Sequence, residues 1–425
     1  MMRKLKSIFG MLFTAVLILA ACCTAHAAAN CDVHADGAKG DGMTKDTAGI
    51  QRAIDECAAK GGGTVRFTQG TYLTAPIELK SNITLELDAG ATLIGSADRA
   101  DYHDKTQFRE PGLQALIGAT RAGHIAITGQ GTIDGNGADW WREARTLKDA
   151  GVLGNHPRPM LIVLDHCTHV RIEGVTIQNS PMWHVVPYYS DDVVIRNVKI
   201  LVPADSPNTD AIDPFSSSNV LIENVYSDVG DDNIAIKSGA INSLGPDAPS
   251  RDITIRDCTF MHGHGLSIGS EIAGGAQHIV AERIHFDGTD NGIRVKANRD
   301  RGSDVSNLIF RDIDMKNVKN AIVISEYYPK VMPPEDNTAL PLTRLTPHFH
   351  NILIEKVKIT DAETAGAIVG LPESPVKDVV LRNVQIKAKT GLTVGYASVT
   401  GRLVSIEPAK GKAIIKMAGA EVSIP

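Results

Sequence analysis

A pattern of four positions, one polar, one apolar, one of any type and one apolar, recurs along most of the chain. Its ten copies begin at Asn82, His124, His169, Asp192, Asn219, Asp252, His278, Asn307, Asn351 and Asp378. Alternating runs of this kind, broken by Gly, Asn, Asp or Ser, are typical of β-strands. One such unit cannot bury its apolar face alone, whereas stacked units can. The pattern therefore predicts an all-β fold, a single-domain parallel β-helix.

The spacing of the copies separates coils from loops. In the second half of the chain successive copies are mostly 23 to 33 residues apart. Longer stretches without a copy place loops at residues 97–116, 136–158 and 328–348, and such loops usually line the functional groove of a solenoid. The side chains of interest in these loops are Trp140, Trp141, His156, Arg158, Lys330, Glu335 and Arg344.

The polar residue that opens each copy is often Asn or Asp. These residue types suit a tight corner of the backbone, and they also suit an internal ladder of polar side chains. Both uses are structural, so we do not expect these residues to be catalytic.

One short helix is expected before the first coil. Its apolar residues repeat at helical spacing and are Ile50, Ile54 and Cys57. Asp46 or Thr47 is suited to cap its start, and glycines at 61–63 end it. Because the terminal repeat of a solenoid needs a cover, we predict that this helix caps the N-terminal end of the β-helix.

Residues 1–27 have the features of a secretory signal peptide, which leaves residues 28–425 as the β-helix domain. Three basic residues precede an apolar run at residues 8–21, and residues 25–27 fit a small-x-small cleavage site. The run is short for a membrane span, and no other segment is expected to cross a bilayer. A lipoprotein signal that ends at Cys22 is the alternative. Export to the extracellular space or periplasm is favoured.

Charge and cysteine content narrow the functional classes. Loss of residues 1–27, which carry three basic residues and no acidic one, takes the formal net charge from −6 to −9. An acidic protein is not expected to bind nucleic acid through its overall field. No Cys/His spacing resembles a zinc site. We expect a monomer, and we expect no metal or cofactor.

Four cysteines remain after export. Cys31 and Cys57 are candidates for a disulfide in an oxidising compartment, with the alternative that all four are small buried hydrophobic residues. Burial is favoured for Cys167 and Cys258, because each lies beside a strand pattern.

Acidic and basic residues recur at roughly one-coil intervals between residues 208 and 296. Asp210 precedes Asp231 by 21 residues, Asp232 precedes His264 by 32, and His264 precedes Arg294 by 30. In a solenoid such spacings can stack residues of successive coils, which lie about 4.8 Å apart.

Paired carboxyl groups in such a patch suit glycoside hydrolysis. Two like charges close together raise the pKa of one group, so we expect one of the two adjacent carboxyl groups, Asp231 or Asp232, to stay protonated and donate a proton to the leaving oxygen. The other, together with Asp210, can activate the attacking water. His264 is placed one coil later, where it can tune the acid through a hydrogen bond.

Two cations complete the pattern. Arg294 and Lys296 alternate onto the same side of a strand, which suits a carboxylate on the substrate. Tyr328 can add a ring for sugar packing or a hydroxyl for hydrogen bonding. Each motif alone is common in solenoids as an acidic turn, a Gly-His-Gly turn or a solvated strand face. Their combination at coil spacing predicts a catalytic site.

These residues resemble those of the polygalacturonases, family 28 of the glycoside hydrolases, in a pattern nearest the bacterial endo-acting members. The resemblance covers nearly the whole exported chain. The motifs that carry it are Ser206-Pro207-Asn208-Thr209-Asp210-Ala211-Ile212-Asp213, Gly230-Asp231-Asp232-Asn233-Ile234-Ala235-Ile236-Lys237, Gly263-His264-Gly265-Leu266-Ser267-Ile268-Gly269-Ser270, Arg294-Val295-Lys296 and, one coil upstream, Asn179-Ser180-Pro181 with Trp183 and His184.

The resemblance implies a right-handed parallel β-helix that hydrolyses α-1,4-linked galacturonic acid in de-esterified pectin by single displacement with inversion. It makes Asp231 the general acid and Asp210 and Asp232 the carboxylates that activate water. It gives His264 a supporting role for the acid and the substrate. The residues that it implies for substrate binding are Asn208, Arg294, Lys296, Tyr328 and His184.

Three alternatives remain open. The first is an exo-acting enzyme, or one that cuts a branched pectin of the rhamnogalacturonan type, within the same family. The second is a pectate lyase, which shares the β-helix but needs Ca²⁺ and leaves an unsaturated end. The third is a β-solenoid binding protein without catalysis, which an intact set of three aspartates disfavours.

Overall fold

The structure is a computed structural model, and it describes residues 29–108, 110–152 and 157–425. The predicted signal at residues 1–27, the alternative lipid site at Cys22 and the loop residue His156 lie outside the described residues. Among the helices of the described residues, none is both long and apolar enough to span a bilayer.

Strands dominate the part of the chain that the structure describes. The first group is β1 Ala29–Asp32, β2 Asp41–Lys45, β3 Gly63–Phe67, β4 Gly70–Thr74, β5 Ile77–Leu79, β6 Ile83–Leu87, β7 Ala91–Gly95, β8 Asp104–Gln107, β9 Glu110–Leu113, β10 Ile117–Thr120, β11 Gly123–Gly129, β12 Thr132–Asp134, β13 Ile162–Asp165, β14 Thr168–Glu173, β15 Thr176–Gln178, β16 Val185–Tyr188, β17 Asp191–Arg196 and β18 Lys199–Leu201. The second is β19 Ser218–Glu223, β20 Tyr226–Asp228, β21 Ile234–Ser238, β22 Ser250–Arg256, β23 Thr259–Phe260, β24 Leu266–Ile272, β25 Ala276–Asp287, β26 Asn291–Lys296, β27 Asp304–Lys316, β28 Asn320–Ser325, β29 His348–Val369, β30 Val376–Gly395, β31 Ala397–Pro408, β32 Ile414–Lys416 and β33 Ala420–Ser423. The helices are α1 Thr47–Ala59, a 3-10 turn at Arg99–Asp101 and α2 Ala138–Asp149.

The strands stack into three parallel faces that wind around one core, so the predicted right-handed parallel β-helix is confirmed. The first face begins with β1, β3, β6 and β11, and the second with β2, β4, β7 and β12. The third face runs through β5, β10, β13 and β16 and continues, by isolated bridges, to β21, β24, β26 and β28. The long strands β25, β27, β29 and β30 turn the corners between faces.

The apolar positions of the repeated pattern stack in register inside the β-helix. One column consists of Ile125, Val170, Val193, Val220, Ile253, Ile279, Leu308, Ile352 and Val379. All of them are buried, and full burial of one such side chain contributes about 1.5–3 kcal/mol. The column explains why a repeat of apolar positions is enough to determine the fold.

The polar residue that opens each copy lies at a corner. In all ten copies φ is between 54° and 64°, the left-handed region, which Asn and Asp tolerate better than most residues. Nine of the ten side chains are exposed, and that of Asp252 is half-buried. The corner interpretation is therefore confirmed, and the alternative of an internal polar ladder is wrong.

Helix α1 lies at the N-terminal end of the coils and buries Ile50, Ile54 and Cys57. Asp46 is at its N-cap position, but its carboxylate accepts hydrogen bonds from the backbone N–H groups of Lys39 and Gly40, at 2.7 and 3.0 Å, instead of from the helix. Of the two predicted cap residues, Asp46 therefore does not cap the helix through its side chain, because the preceding loop already uses both oxygens, and Thr47 is the first residue of the helix.

Two of the four cysteines after residue 27 are joined and two are free, as the sequence analysis favoured. Cys31 and Cys57 form a disulfide that ties β1 to α1. Cys167 and Cys258 are free and buried.

Two of the predicted loops have structure of their own. Residues 136–158 contain α2, which the sequence analysis did not predict, and Trp140 and Trp141 on it are buried instead of lining a groove. The Trp141 indole N–H donates to the Ser180 carbonyl at 2.9 Å. Residues 97–116 contain the antiparallel hairpin β8–β9, which lies over the third face.

Candidate active site

The aspartates and the histidine meet because they precede equivalent strands of the third face. Ile212 pairs with Ile234, and Ile234 pairs with Leu266. The residues two positions before these are Asp210, Asp232 and His264. Parallel pairing therefore brings the three side chains to one edge of the face on consecutive coils.

Asp232 is held by cations from β26. Its Oδ2 lies 2.7 Å from Lys296 Nζ and its Oδ1 lies 3.6 Å from Arg294 Nη1, while the Ser267 hydroxyl donates to Oδ1 at 2.7 Å. Burial alone would raise the pKa of Asp232, but Lys296, Arg294 and Lys237 outweigh it and hold that pKa well below its usual range. Asp232 is therefore an ionised carboxylate although it is almost completely buried.

Asp231 pairs with His264. The ring Nδ1 of His264 lies 2.8 Å from Asp231 Oδ1, and the backbone N–H of Asp232 donates to the same oxygen at 2.9 Å. The hydrogen bond with Asp231 raises the pKa of His264, and burial opposes this only in part. The imidazole is thus within hydrogen-bond distance of Asp231, the aspartate with which the sequence analysis associated it.

Asp210 differs from Asp232 although both are buried. Burial, together with the charges of Asp231 and Asp213, raises the pKa of Asp210 well above its usual value. The cation that opposes this shift most strongly is Lys237. The carboxyl group whose pKa is raised is therefore that of Asp210, one coil before Asp232, whose pKa is lowered.

Asn208 is fixed by an arginine from a predicted loop. Arg158 donates to Asn208 Oδ1 at 2.8 Å and to the carbonyl oxygens of Pro181 and Pro207 at 2.8 and 2.7 Å. Its burial lowers the pKa of Arg158 to about 10, which still leaves it charged at neutral pH. Arg158 therefore ties the coil before Asp210 to the coil upstream of it.

The structure does not support direct substrate binding by His184. The residue is fully buried, its Nδ1 donates to the Asp210 carbonyl at 2.9 Å, and its Nε2 accepts from the Ser180 N–H at 3.3 Å. Burial lowers the pKa of His184 to about 4, so the ring is neutral. The expectation that it contacts substrate is corrected to a supporting role beneath Asp210, because both ring nitrogens already bond the backbone.

Tyr328 lies beside the two predicted cations. Arg294 and Lys296 are 5.8 and 5.4 Å from the centre of its ring, and Arg301 is 5.6 Å away. The negative ring face and the cations attract one another, which fixes the ring at the wall of the cavity.

A cavity of about 330 Å³ joins these parts. Of the predicted residues, those in its wall are Asn208, Asp210, Asp231, Asp232, Lys296 and Tyr328. Residues of the wall to which the sequence analysis gave no role include Phe108, Met182, Trp183, Phe215, Lys237 and Glu271. Lys237 ends the motif that begins at Gly230, and Trp183 belongs to the motif one coil upstream, but the sequence analysis gave neither residue a role.

Asp231, Asp232 and His264 also have the spacing of a metal-ligand set, with one atom of each within 4.8 Å of the others. The charges of Lys296 and Arg294 beside Asp232 oppose a further cation there. The donor set therefore fits proton transfer better than metal binding.

Comparison with known proteins agrees with this geometry. The model of the Glycosyl hydrolases family 28 matches residues 57–402. The chain is 32% identical over 393 residues to a probable polygalacturonase of Vitis vinifera, covering 89% of this chain and 77% of that protein. It is 32% identical over 309 residues to an endo-polygalacturonase of Pectobacterium carotovorum subsp. carotovorum, covering 69% and 74%.

A solved structure is similar over most of the chain. The exopolygalacturonase of Thermotoga maritima superposes with a TM-score of 0.78 at 28% identity, covering 91% of this chain and 93% of that one. The family model spans most of the chain and includes the aspartates and cations described above. The chain therefore belongs to family 28 of the glycosyl hydrolases, as a polygalacturonase-type glycoside hydrolase.

Proposed function

We propose that this chain hydrolyses α-1,4-galacturonosidic bonds of de-esterified pectin by a single displacement with inversion. The observation that carries the proposal is the convergence of three aspartates and Lys296 on one cavity of the third face, with Arg294 3.6 Å from Asp232 Oδ1. An acid, a base and a cationic site for a uronate carboxylate are the groups that this reaction needs.

Asp231 is the proposed general acid. Its proton goes to the glycosidic oxygen as the bond from that oxygen to the anomeric carbon breaks. His264, 2.8 Å from Asp231 Oδ1, is placed to return a proton after the aglycone leaves. Its raised pKa keeps the imidazolium available near neutral pH.

Asp232 is the proposed base, since it is the carboxylate that the cations keep ionised. A water molecule between Asp232 and Asp210 gives its proton to Asp232 while its oxygen bonds to the anomeric carbon on the face opposite the leaving group. The product therefore has inverted configuration. Asp210, whose pKa is raised, orients the same water by a hydrogen bond.

The sugar carboxylate is proposed to bind Arg294 and Lys296, with Tyr328 against the ring. Lys296 is shared between this carboxylate and Asp232, so the bound substrate and the base are positioned by one ammonium. A neutral or esterified sugar would lose this charge-assisted contact.

The sequence pattern favours endo action. An exo-acting enzyme is a second candidate because the β8–β9 hairpin stands at the N-terminal side of the cavity. Phe108 at its tip stacks on Phe215 with ring centres 5.2 Å apart and contacts Trp183 and Tyr188. A wall in that position would stop a polymer from passing through the groove and leave room for a chain end only.

Product analysis on polygalacturonate tests the proposal. We expect new reducing ends, a product of inverted anomeric configuration by NMR, and full activity in chelator. Loss of activity in chelator together with growing ultraviolet absorbance would instead indicate a lyase. Early loss of viscosity supports endo action, whereas monomer or dimer release without early thinning supports exo action.

We further propose that residues 1–27 direct export and that the mature protein is a monomer. The basic start, the apolar run and the small residues at 25–27 support the first proposal. Mass spectrometry of the exported protein would identify its first residue, and light scattering would give its mass.

A further inference from the structure

Lys237 lowers the pKa of Asp232 and opposes the rise in that of Asp210, but no role toward the substrate has been assigned to it so far. It lies in β21, its side chain is only 6% exposed, and the cavity wall includes it together with Trp183 and Glu271. A buried lysine costs desolvation energy unless its charge is used. Its position in the wall therefore needs an explanation.

Register relates Lys237 to Lys296. The positions that pair on successive strands of the third face are Ile236, Ile268 and Val295. Lys237 and Lys296 follow the first and last of these, two coils apart, which is about 10 Å along the helix axis. Gly269 follows Ile268, on the strand between the two lysines. A Cβ at this position would lie 1.9 Å from the Lys296 carbonyl oxygen, so only glycine fits, and no side chain separates Lys237 from Lys296.

A bulge in β24 supplies the anion that faces Lys237. The register shifts after Ile236, and such bulges re-aim side chains next to active sites. Here Glu271 Oε2 comes to 3.4 Å from Lys237 Nζ, while Glu271 Oε1 accepts from Ser270 at 2.7 Å and lies 3.3 Å from Arg301. Glu271 is thus shared between two cations.

Lys237 is less fully paired than Lys296. Its contacts to Glu271 and Asp213, at 3.4 and 4.0 Å, are longer than the 2.7 Å contact of Lys296 to Asp232. Burial raises the pKa of Asp213 well above its usual value, so that carboxyl contributes little negative charge. An ammonium has three donors, and the described residues accept one hydrogen bond from this one.

An aromatic ring lies beside the ammonium. Lys237 Nζ is 4.9 Å from the ring centre of Trp183, and Trp183 is half-buried in the same wall. A flat apolar surface next to a cation matches a uronic acid, which presents the faces of a sugar ring and a carboxylate.

We infer that Lys237 binds the carboxylate of a second uronate of the bound chain, with Trp183 against that sugar ring, in addition to the uronate held by Arg294 and Lys296. This role depends on the proposed function, because it assigns a second contact for the same polymer. It makes the enzyme selective for segments with two unesterified sugars at these positions.

Kinetics of Lys237→Gln test the role. The amide can still donate to Glu271, so we expect the fold to be retained. On unesterified polygalacturonate kcat/KM should fall about tenfold or more, mainly through KM. The ratio of kcat/KM on unesterified to half-esterified polymer should fall as well, because one of two carboxylate contacts is gone. If the role of Lys237 were purely structural, kcat/KM would fall by the same factor on the unesterified and the half-esterified polymer.

Two further variants guard against misfolding and general charge effects. Lys237→Met/Glu271→Gln removes the cation together with the anion that faces it, so no buried charge is left unpaired, and it should lose the same selectivity. Lys389→Gln removes an exposed lysine that is paired to Glu363 at 2.9 Å and lies outside the cavity wall. It should leave kcat/KM on the unesterified and the half-esterified polymer unchanged.

Calorimetry of trigalacturonate binding to Asp231→Asn, with and without Lys237→Gln, separates this role from the proposed function. A tenfold weaker Kd with Lys237→Gln supports the role even if the wild-type protein hydrolyses nothing, an outcome that would overturn only the proposed function. Equal Kd values overturn the role of Lys237 whether or not hydrolysis occurs. No binding to either variant overturns both.

Discussion

The ammonium of Lys296 lies 2.7 Å from Oδ2 of Asp232, and both side chains are almost completely buried. The attraction between two such charges is strong because little water screens them. Lys296 therefore acts on the base of the proposed reaction as well as on the substrate carboxylate. A substitution there should change catalysis and binding together.

Lys296→Met should raise KM for polygalacturonate and also shift the acidic limb of the pH profile of kcat/KM to higher pH. The reason is that Lys296 is the cation that lowers the pKa of Asp232 most strongly, and the base must be ionised to accept a proton. Without the cation, protonation of Asp232 begins at higher pH. Rates measured across the acidic range give the shift. An unchanged profile with only KM raised would show that Lys296 serves binding alone.

Asp231→Asn should lower kcat by about 10²–10⁴-fold while Tm stays close to the wild-type value. The amide is nearly isosteric but cannot protonate the leaving oxygen. Asp228→Asn is a matched control, because Asp228 also pairs with a histidine, His262, at 2.9 Å but is not part of the cavity wall. The rate of reducing-sugar release gives kcat for Asp231→Asn and for the Asp228→Asn control. Wild-type kcat in Asp231→Asn would remove it as the acid.

His264→Asn should make stability less dependent on pH between about 6.5 and the raised pKa of the histidine. The folded pKa of His264 lies above its unfolded value, owing first to the hydrogen bond with Asp231. The pair's contribution is therefore fully present below the unfolded pKa and is lost as pH rises through the folded one. The side chain is about a third exposed, so solvent screening keeps the effect under about 1 kcal/mol.

Unfolding midpoints of the wild type and His264→Asn across this pH range give the difference. His262→Asn, which removes an exposed histidine at a similar distance from an aspartate, provides the comparison. Parallel curves for wild type and His264→Asn would contradict the prediction.

Cys31→Ala/Cys57→Ala should lower the free energy of unfolding by about 3 kcal/mol. The disulfide closes a loop between residues 26 apart in the sequence, and its loss frees the unfolded chain. Activity at room temperature should persist, since α1 covers the N-terminal end and does not line the cavity. Thermal unfolding with and without reductant tests this. The wild-type Tm should fall in reductant and that of the double variant should not.

The fold could be predicted because its determinants are local and repeated. The column from Ile125 to Val379 needs only alternation of apolar residues, and the corner residues from Asn82 to Asp378 need only a residue type that tolerates positive φ. Helix α2 was missed because Trp140 and Trp141 are buried against neighbouring coils, and a single sequence does not show which surface will cover them.

The sequence by itself determined the β-helix, the identity of Asp210, Asp231, Asp232 and His264 as candidate groups, and the cationic strand that follows them, because each depends on spacing in units of one coil. Only the tertiary structure decided the charge states. Burial raises the pKa of Asp210, while Lys296 and Arg294 lower that of Asp232. It also buried His184 and brought Lys237 to the cavity wall. These outcomes depend on distance and solvent exclusion in three dimensions, which chain order does not encode.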